Sequence, residues 1–122
     1  MRKESKMQVQ VLFVERDGSF DHVANVDATT EISGAQDSKE ATDWALEYAF
    51  RLTQNIEGSW SMGRTIIDGQ SIIDNPDFNE NVTVVKPLYN GWGHRSSMVG
   101  DRMIVNGKTY EVDMIGFKEV EA

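Results

Sequence analysis

The chain has 122 residues, a net charge of −8 and no cysteine. That length suits a single domain able to bury about two-thirds of its unfolded surface, and 39% hydrophobic with 26% charged residues excludes global disorder. The missing cysteines exclude a disulfide scaffold, thiolate metal sites and a cysteine nucleophile, which fits a reducing cytoplasm. No apolar run approaches the roughly 18 residues of a membrane span.

Residues 1–6 (MRKESK) read as a frayed basic lead-in, with no apolar core behind them to make a signal peptide. Met7, Val9, Val11 and Phe13 alternate with Gln8, Gln10 and Leu12, which is strand periodicity with one strongly apolar face. A turn at 16–19 leads to a second expected strand over Phe20–Val26, and 27–36 reads as a loop with Ile32 as an anchor. A helix is expected over 38–57. Asp37 and Glu40 have the spacing of a capping box, Ala41, Trp44, Ala45, Tyr48, Ala49, Leu52 and Ile56 form one apolar stripe, and Gly58 is suited to the C′ position. Thr65–Ile67 and Ser71–Ile73 flank Asp68-Gly69-Gln70 and suggest a small hairpin. Pro76 sits in a polar turn, Val82–Lys86 reads as a strand stopped by Pro87, and 88–93 is a loop with two glycines around Trp92.

Residues 93–120 are the most informative stretch. Asn106-Gly107 between two alternating runs marks a two-residue type I′ turn, since both positions need φ > 0. Counting outward pairs Val105 with Lys108, Ile104 with Thr109, Met103 with Tyr110, Arg102 with Glu111 and Asp101 with Val112. Met103, Val105, Tyr110 and Val112 then share the face expected to be buried, with Arg102 and Glu111 as a cross-strand ion pair on the other.

Asp77-x-Asn79-x-Asn81 imitates the opening of a calcium loop, but Val82 and Leu88 stand where the loop needs its glycine and bidentate glutamate. His22 and His94 are the only histidines, and nothing in their spacing makes a metal site, so no metal or cofactor is expected. His94, Arg95 and Ser96 put a base, a cation and a hydroxyl side by side as a candidate loop site for anion binding or acyl transfer, with Tyr110 as an added candidate. The simpler reading is that Ser96, Ser97 and Asp101 bond local backbone and fix the entry into the hairpin.

Charge is uneven along the chain. From Glu15 to Glu47 nine acidic residues face only Arg16 and Lys39, a local net of −7, whereas Lys86–Lys118 carries a net of +2. Solubility accounts for such a surface, and so does an acidic face offered to a basic partner. If the helix buries Trp44, Tyr48 and Leu52, then Glu40, Asp43 and Glu47 form a carboxylate row on its exposed face. Direct nucleic-acid binding is disfavoured by the overall sign.

The run Arg95-Ser96-Ser97-Met98-Val99-Gly100-Asp101, then Met103-Ile104-Val105, Tyr110-Glu111-Val112-Asp113 and Gly116-Phe117-Lys118-Glu119-Val120, resembles the C-terminal signature of YodL-like domains. That signature has the form GRSLSVSDVV, a short turn, then YYVDSFGF. Asp101, Tyr110, Gly116 and Phe117 match it, while Ser97, Met98 and Gly100 replace a leucine and two serines. The likeness covers 93–120 and extends weakly to the helix. It implies a compact α+β domain of phage or mobile-element origin and carries over no catalytic residue. Within it Asp101 is expected to cap a bend, Tyr110 to pack, Gly116 to allow a turn and Phe117 to anchor the tail.

The expectation is therefore an α+β single domain, one amphipathic helix on a mostly antiparallel sheet with a C-terminal β-hairpin. The expected function is a non-enzymatic binding or accessory protein in the host cytoplasm, acting on a host protein with a basic surface and on no membrane. An acidic mimic of DNA is the alternative, and a small enzyme or anion-binding domain the third class.

Overall fold

The computed structural model describes residues 7–28, 39–86 and 93–121. Among these residues eight strands and one helix follow in chain order: β1 (Gln8–Val14), β2 (Phe20–Asp27), α1 (Lys39–Leu52), β3 (Thr65–Asp68), β4 (Ser71–Asp74), β5 (Val82–Val84), β6 (Arg102–Val105), β7 (Lys108–Val112) and β8 (Phe117–Val120). Six of the strands make one sheet in the order β5-β2-β1-β6-β7-β8, every neighbouring pair antiparallel. The remaining two, β3 and β4, pair only with each other. The architecture is α+β, one helix on an antiparallel sheet. No helix among the described residues is long and apolar enough to cross a membrane.

β1 forms the centre because its alternation is strict. Met7, Val9, Val11 and Phe13 are all at most 3% exposed, and β2 and β6 flank the strand on either side. β2 is harder to read from its residues for a local reason. Val11 pairs with Ala24 but Leu12 pairs with His22, so Val23 is an extra residue, a bulge. Val23 and Ala24 are consequently both buried although adjacent, and the Val23 carbonyl accepts the amides of Val85 and Lys86 beyond β5.

The Asn106-Gly107 hairpin has the expected register, Val105–Lys108, Ile104–Thr109, Met103–Tyr110 and Arg102–Glu111, and the Val112 amide donates to the Asp101 carbonyl. Asn106 has φ 54° and Gly107 φ 76°, as a type I′ turn requires. Met103, Val105 and Val112 are buried and Tyr110 half-buried, and Arg102 reaches Glu111 at 3.4 Å. The tail is more than an anchor. Gly116, at φ 69°, accepts the Asp113 amide on its carbonyl and returns the chain as β8, the sheet edge, with Phe117 edge-to-face on Phe50 at 6.1 Å.

The helix lies against β1 and β6 through a column of alanines. Ala41, Ala45 and Ala49 are fully buried, and side chains that small let the helix axis come close to the sheet. Thr42, Leu46 and Tyr48 complete the face. Two expectations fail here. Trp44 lies one residue, about 100°, around from Ala45, beyond the edge of that face, and is 50% exposed. Ile56 is outside the helix altogether and 71% exposed. The helix ends at Leu52 rather than near 57, because Thr53 Oγ1 turns back onto the carbonyls of Ala49 (2.8 Å) and Phe50 (3.2 Å) and Gln54 Nε2 onto Phe50 (3.1 Å). Gly58 is therefore no helix cap. Asp37 of the expected capping box, the Ile32 anchor and the loop around Trp92 lie outside the described residues. The small second hairpin forms as β3–β4, with a tighter two-residue turn at Gly69-Gln70.

Replacing Gly107 by valine forces a β-branched residue to positive φ and is expected to cost about 1–2 kcal/mol. Thermal unfolding of Gly107→Val against the parent reads this directly, and an unchanged midpoint would contradict the turn assignment.

Candidate functional site

His94, Arg95 and Ser96 come together with residues far away in sequence, and their polar groups hold the chain in place. Asp101 is fully buried, and its carboxylate accepts four hydrogen bonds: two from Arg95 (2.7 and 2.8 Å), one from the Val14 amide (2.9 Å) and one from the Met98 amide (2.9 Å). That fills every lone-pair position of the group. The Arg95 guanidinium also donates to the carbonyls of Ser96 and Val14, and its carbon lies 4.1 Å from the centre of the Phe13 ring. The hydrogen bonds and charge of Asp101 push the Arg95 pKa up, against the opposing effect of partial burial.

His94 is buried in an aromatic group that sequence reading missed. It stacks on Trp60 (5.8 Å, 23°), both meet the edge or face of Phe13 at 5.9 Å, and its Nε2 donates to the Lys86 carbonyl. The fully buried Trp60 donates its Nε1–H to the Arg95 carbonyl at 2.8 Å. Ser96 Oγ accepts the Asn55 amide (2.8 Å), Asn55 Nδ2 donates to the His94 carbonyl (2.8 Å), and Ser97 pairs its hydroxyl with that of Thr53 and its amide with the Thr53 carbonyl. The two serines thus bond the distant end of α1 rather than local backbone. Gly93 precedes this segment because a Cβ there would fall 2.2 Å from Ser59 Oγ.

The run that imitates a calcium loop has a different task. Asp77 accepts the amides of Ile56, Glu57 and Gly58, Asn79 caps the Asn81 amide, and Asn81 donates to the Tyr48 hydroxyl. Asn75, buried, bridges Ser59 and Gly63. No group of three or more His, Asp or Glu among the described residues is placed to hold a metal ion.

The other side of α1 faces solvent. Glu40, Asp43 and Glu47 are exposed there as expected, although Lys39 Nζ pairs with Asp43 at 2.8 Å. The addition is Trp44, half-exposed between Glu40 at i−4 and Glu47 at i+3. Glu47 and Arg51 also line a cleft of about 290 Å³, together with Phe50, Val112, Phe117 and the turn after β7. In that turn Met114 and Ile115 are 87% and 94% exposed. A sequence signal for the cleft existed: two large apolar residues between Asp113 and Gly116, where a turn ordinarily carries polar ones.

No protein-family model, curated protein or solved structure matches the chain.

Two outcomes follow from the buried network. Arg95→Met leaves the Asp101 carboxylate inside the protein without its cation, and urea unfolding should show a loss of about 3 kcal/mol; a loss below about 1 kcal/mol would mean the ion pair is incidental. For Asp77, burial pushes the carboxyl up, but the amides of Gly58, Ile56 and Glu57 outweigh it and hold the group below its ordinary 3.8. Its contribution is therefore complete above pH 3.8 and disappears as pH falls through the lower folded value. Asp77→Asn should destabilise by about 1 kcal/mol at pH 7 after allowance for solvent screening. The gap to the parent should narrow on acidification, and one that widens would reverse the assignment.

Proposed function

We propose that the chain is a small non-enzymatic binding protein that docks a partner protein with a basic surface on the outer face of α1. Trp44 carries this reading: a half-exposed indole with Glu40 and Glu47 a turn away on either side. Tryptophan dominates interface energetics because burying its large rigid ring releases much apolar surface at little entropic cost, and neighbouring carboxylates select lysine or arginine on the other side. Mimicry of DNA by the same row is less favoured. Asp43 is already neutralised by Lys39, and an indole amid the carboxylates suits a protein surface better than a phosphate-binding one. The groups of His94 and Arg95 are held in internal bonds, which supports binding over catalysis. The resemblance of 93–120 to YodL-like domains supports a phage or mobile-element origin, and on that reading the partner belongs to the host.

Affinity capture from host lysate at low salt tests the proposal with three baits: the parent, Trp44→Ala, and the triple change Glu40→Gln, Asp43→Asn, Glu47→Gln. Trp44→Ala should weaken capture about 30-fold, and the triple change should weaken it and flatten its salt dependence. A partner held equally by all three would show that this face is only solvated surface.

A further inference from the structure

We infer that the cleft between α1 and the β7–β8 turn is an anchor pocket for one aromatic side chain of a partner segment that carries lysine or arginine on both sides of it. The inference rests on the docking reading above, since Glu47 belongs both to the outer helix face and to the lining of the cleft.

Three observations converge on that occupant. The first is size. About 290 Å³ lies at the bottom of the range for ligand sites, enough for a ring and its surroundings and too little for a nucleotide-sized cofactor. The second is the chemistry of the walls. Phe50 and Phe117 stand edge-to-face at 81°, so an entering ring can continue the same edge-to-face pattern over them. Met114 borders the same space and offers a soft, adaptable thioether that packs well on aromatic faces. Leaving Met114 almost wholly in water beside this cleft, with Ile115 next to it in the same turn, is unfavourable for the isolated chain, and exposed apolar groups that adjoin one another mark an interaction surface.

The third is charge. Glu47 from α1 and Asp113 from the turn line the cleft, with Arg51 as the one cation among the lining residues. The Arg51 guanidinium carbon lies 5.7 Å from the centre of the Tyr48 ring, so the cation is drawn toward that ring. The lining is net acidic on a chain of net −8, which selects a cationic segment and repels an acidic one.

The probe is a fluorescein-labelled synthetic nonapeptide, Gly-Lys-Lys-Ala-Phe-Ala-Lys-Lys-Gly, titrated with the full chain by fluorescence anisotropy at low salt. Two controls go with it, one with alanine for the phenylalanine and one with glutamate for the lysines. The parent peptide should bind with a Kd on the order of 0.1–1 mM. Removing the ring should weaken it about tenfold, and the glutamate peptide should not bind. Amide chemical shifts should move at Met114, Gly116 and Phe117. Met114→Ser, and separately the double reversal Glu47→Lys with Asp113→Lys, alter exposed side chains; each should weaken the parent peptide about five- to tenfold with an unchanged circular dichroism spectrum. Equal binding of the phenylalanine and alanine peptides overturns the pocket. So does binding that survives the double reversal, or shifts confined to the neighbourhood of Trp44. Those results leave the outer-face docking standing. A peptide held in the cleft while Trp44→Ala captures lysate partner normally overturns the docking reading instead.

Discussion

The arrangement depends on a carboxylate that has no access to water. A buried charge is costly unless it is paired and its hydrogen-bonding positions are filled, and Asp101 meets both conditions only when three separate pieces of chain are in place. The end of β1 supplies the Val14 amide, the 95–98 segment supplies Arg95 and the Met98 amide, and the hairpin supplies Asp101 itself. Satisfying this one group therefore fixes the position of the hairpin against β1. It also makes 93–98 a rigid strap, which Asn55, Thr53 and Trp60 extend to the end of α1. Residues that look like an exposed reactive loop thereby place their polar groups in internal hydrogen bonds.

A second constraint, the alanine column of α1, decides which helix residues face solvent. Helices approach a sheet closely where side chains are small, and Ala41, Ala45 and Ala49 set that contact line. Once it is set, every other helix position follows from the 3.6-residue repeat. Trp44 falls outside, among Glu40, Asp43 and Glu47, and Phe50 falls at the flank, where Phe117 on the edge strand meets it. The acidic row and the apolar cleft are thus two consequences of one packing choice, and they meet at Glu47.

Much of this was legible from local chemistry. Strict alternation from Met7 to Phe13 identified the central strand. Asn106-Gly107 specified turn type and register down to the Arg102–Glu111 pair, since a two-residue loop leaves no freedom in the count. Glu40, Asp43 and Glu47 are exposed as helix periodicity suggested, although the burial of Trp44 on which that reading is conditioned does not occur. All of these depend on neighbours within a few residues, whose interaction a sequence states directly.

What only the tertiary structure decided involves partners far apart in the chain. The bulge at Val23 hid the alternation of β2, because one inserted residue moves all that follows to the other face. The apolar stripe of α1 was broader than the face it buries, and only contact with β1 and β6 placed Ala45 rather than Trp44 at its centre. Arg95 and Asp101, six positions apart, became a pair because Val14, 87 positions from Asp101, donated to the same carboxylate. Hydrogen bonds and packing at such separations leave no periodic trace in composition. They are set by the three-dimensional closure of the sheet, where the desolvation of each polar group has to be matched by a donor from elsewhere.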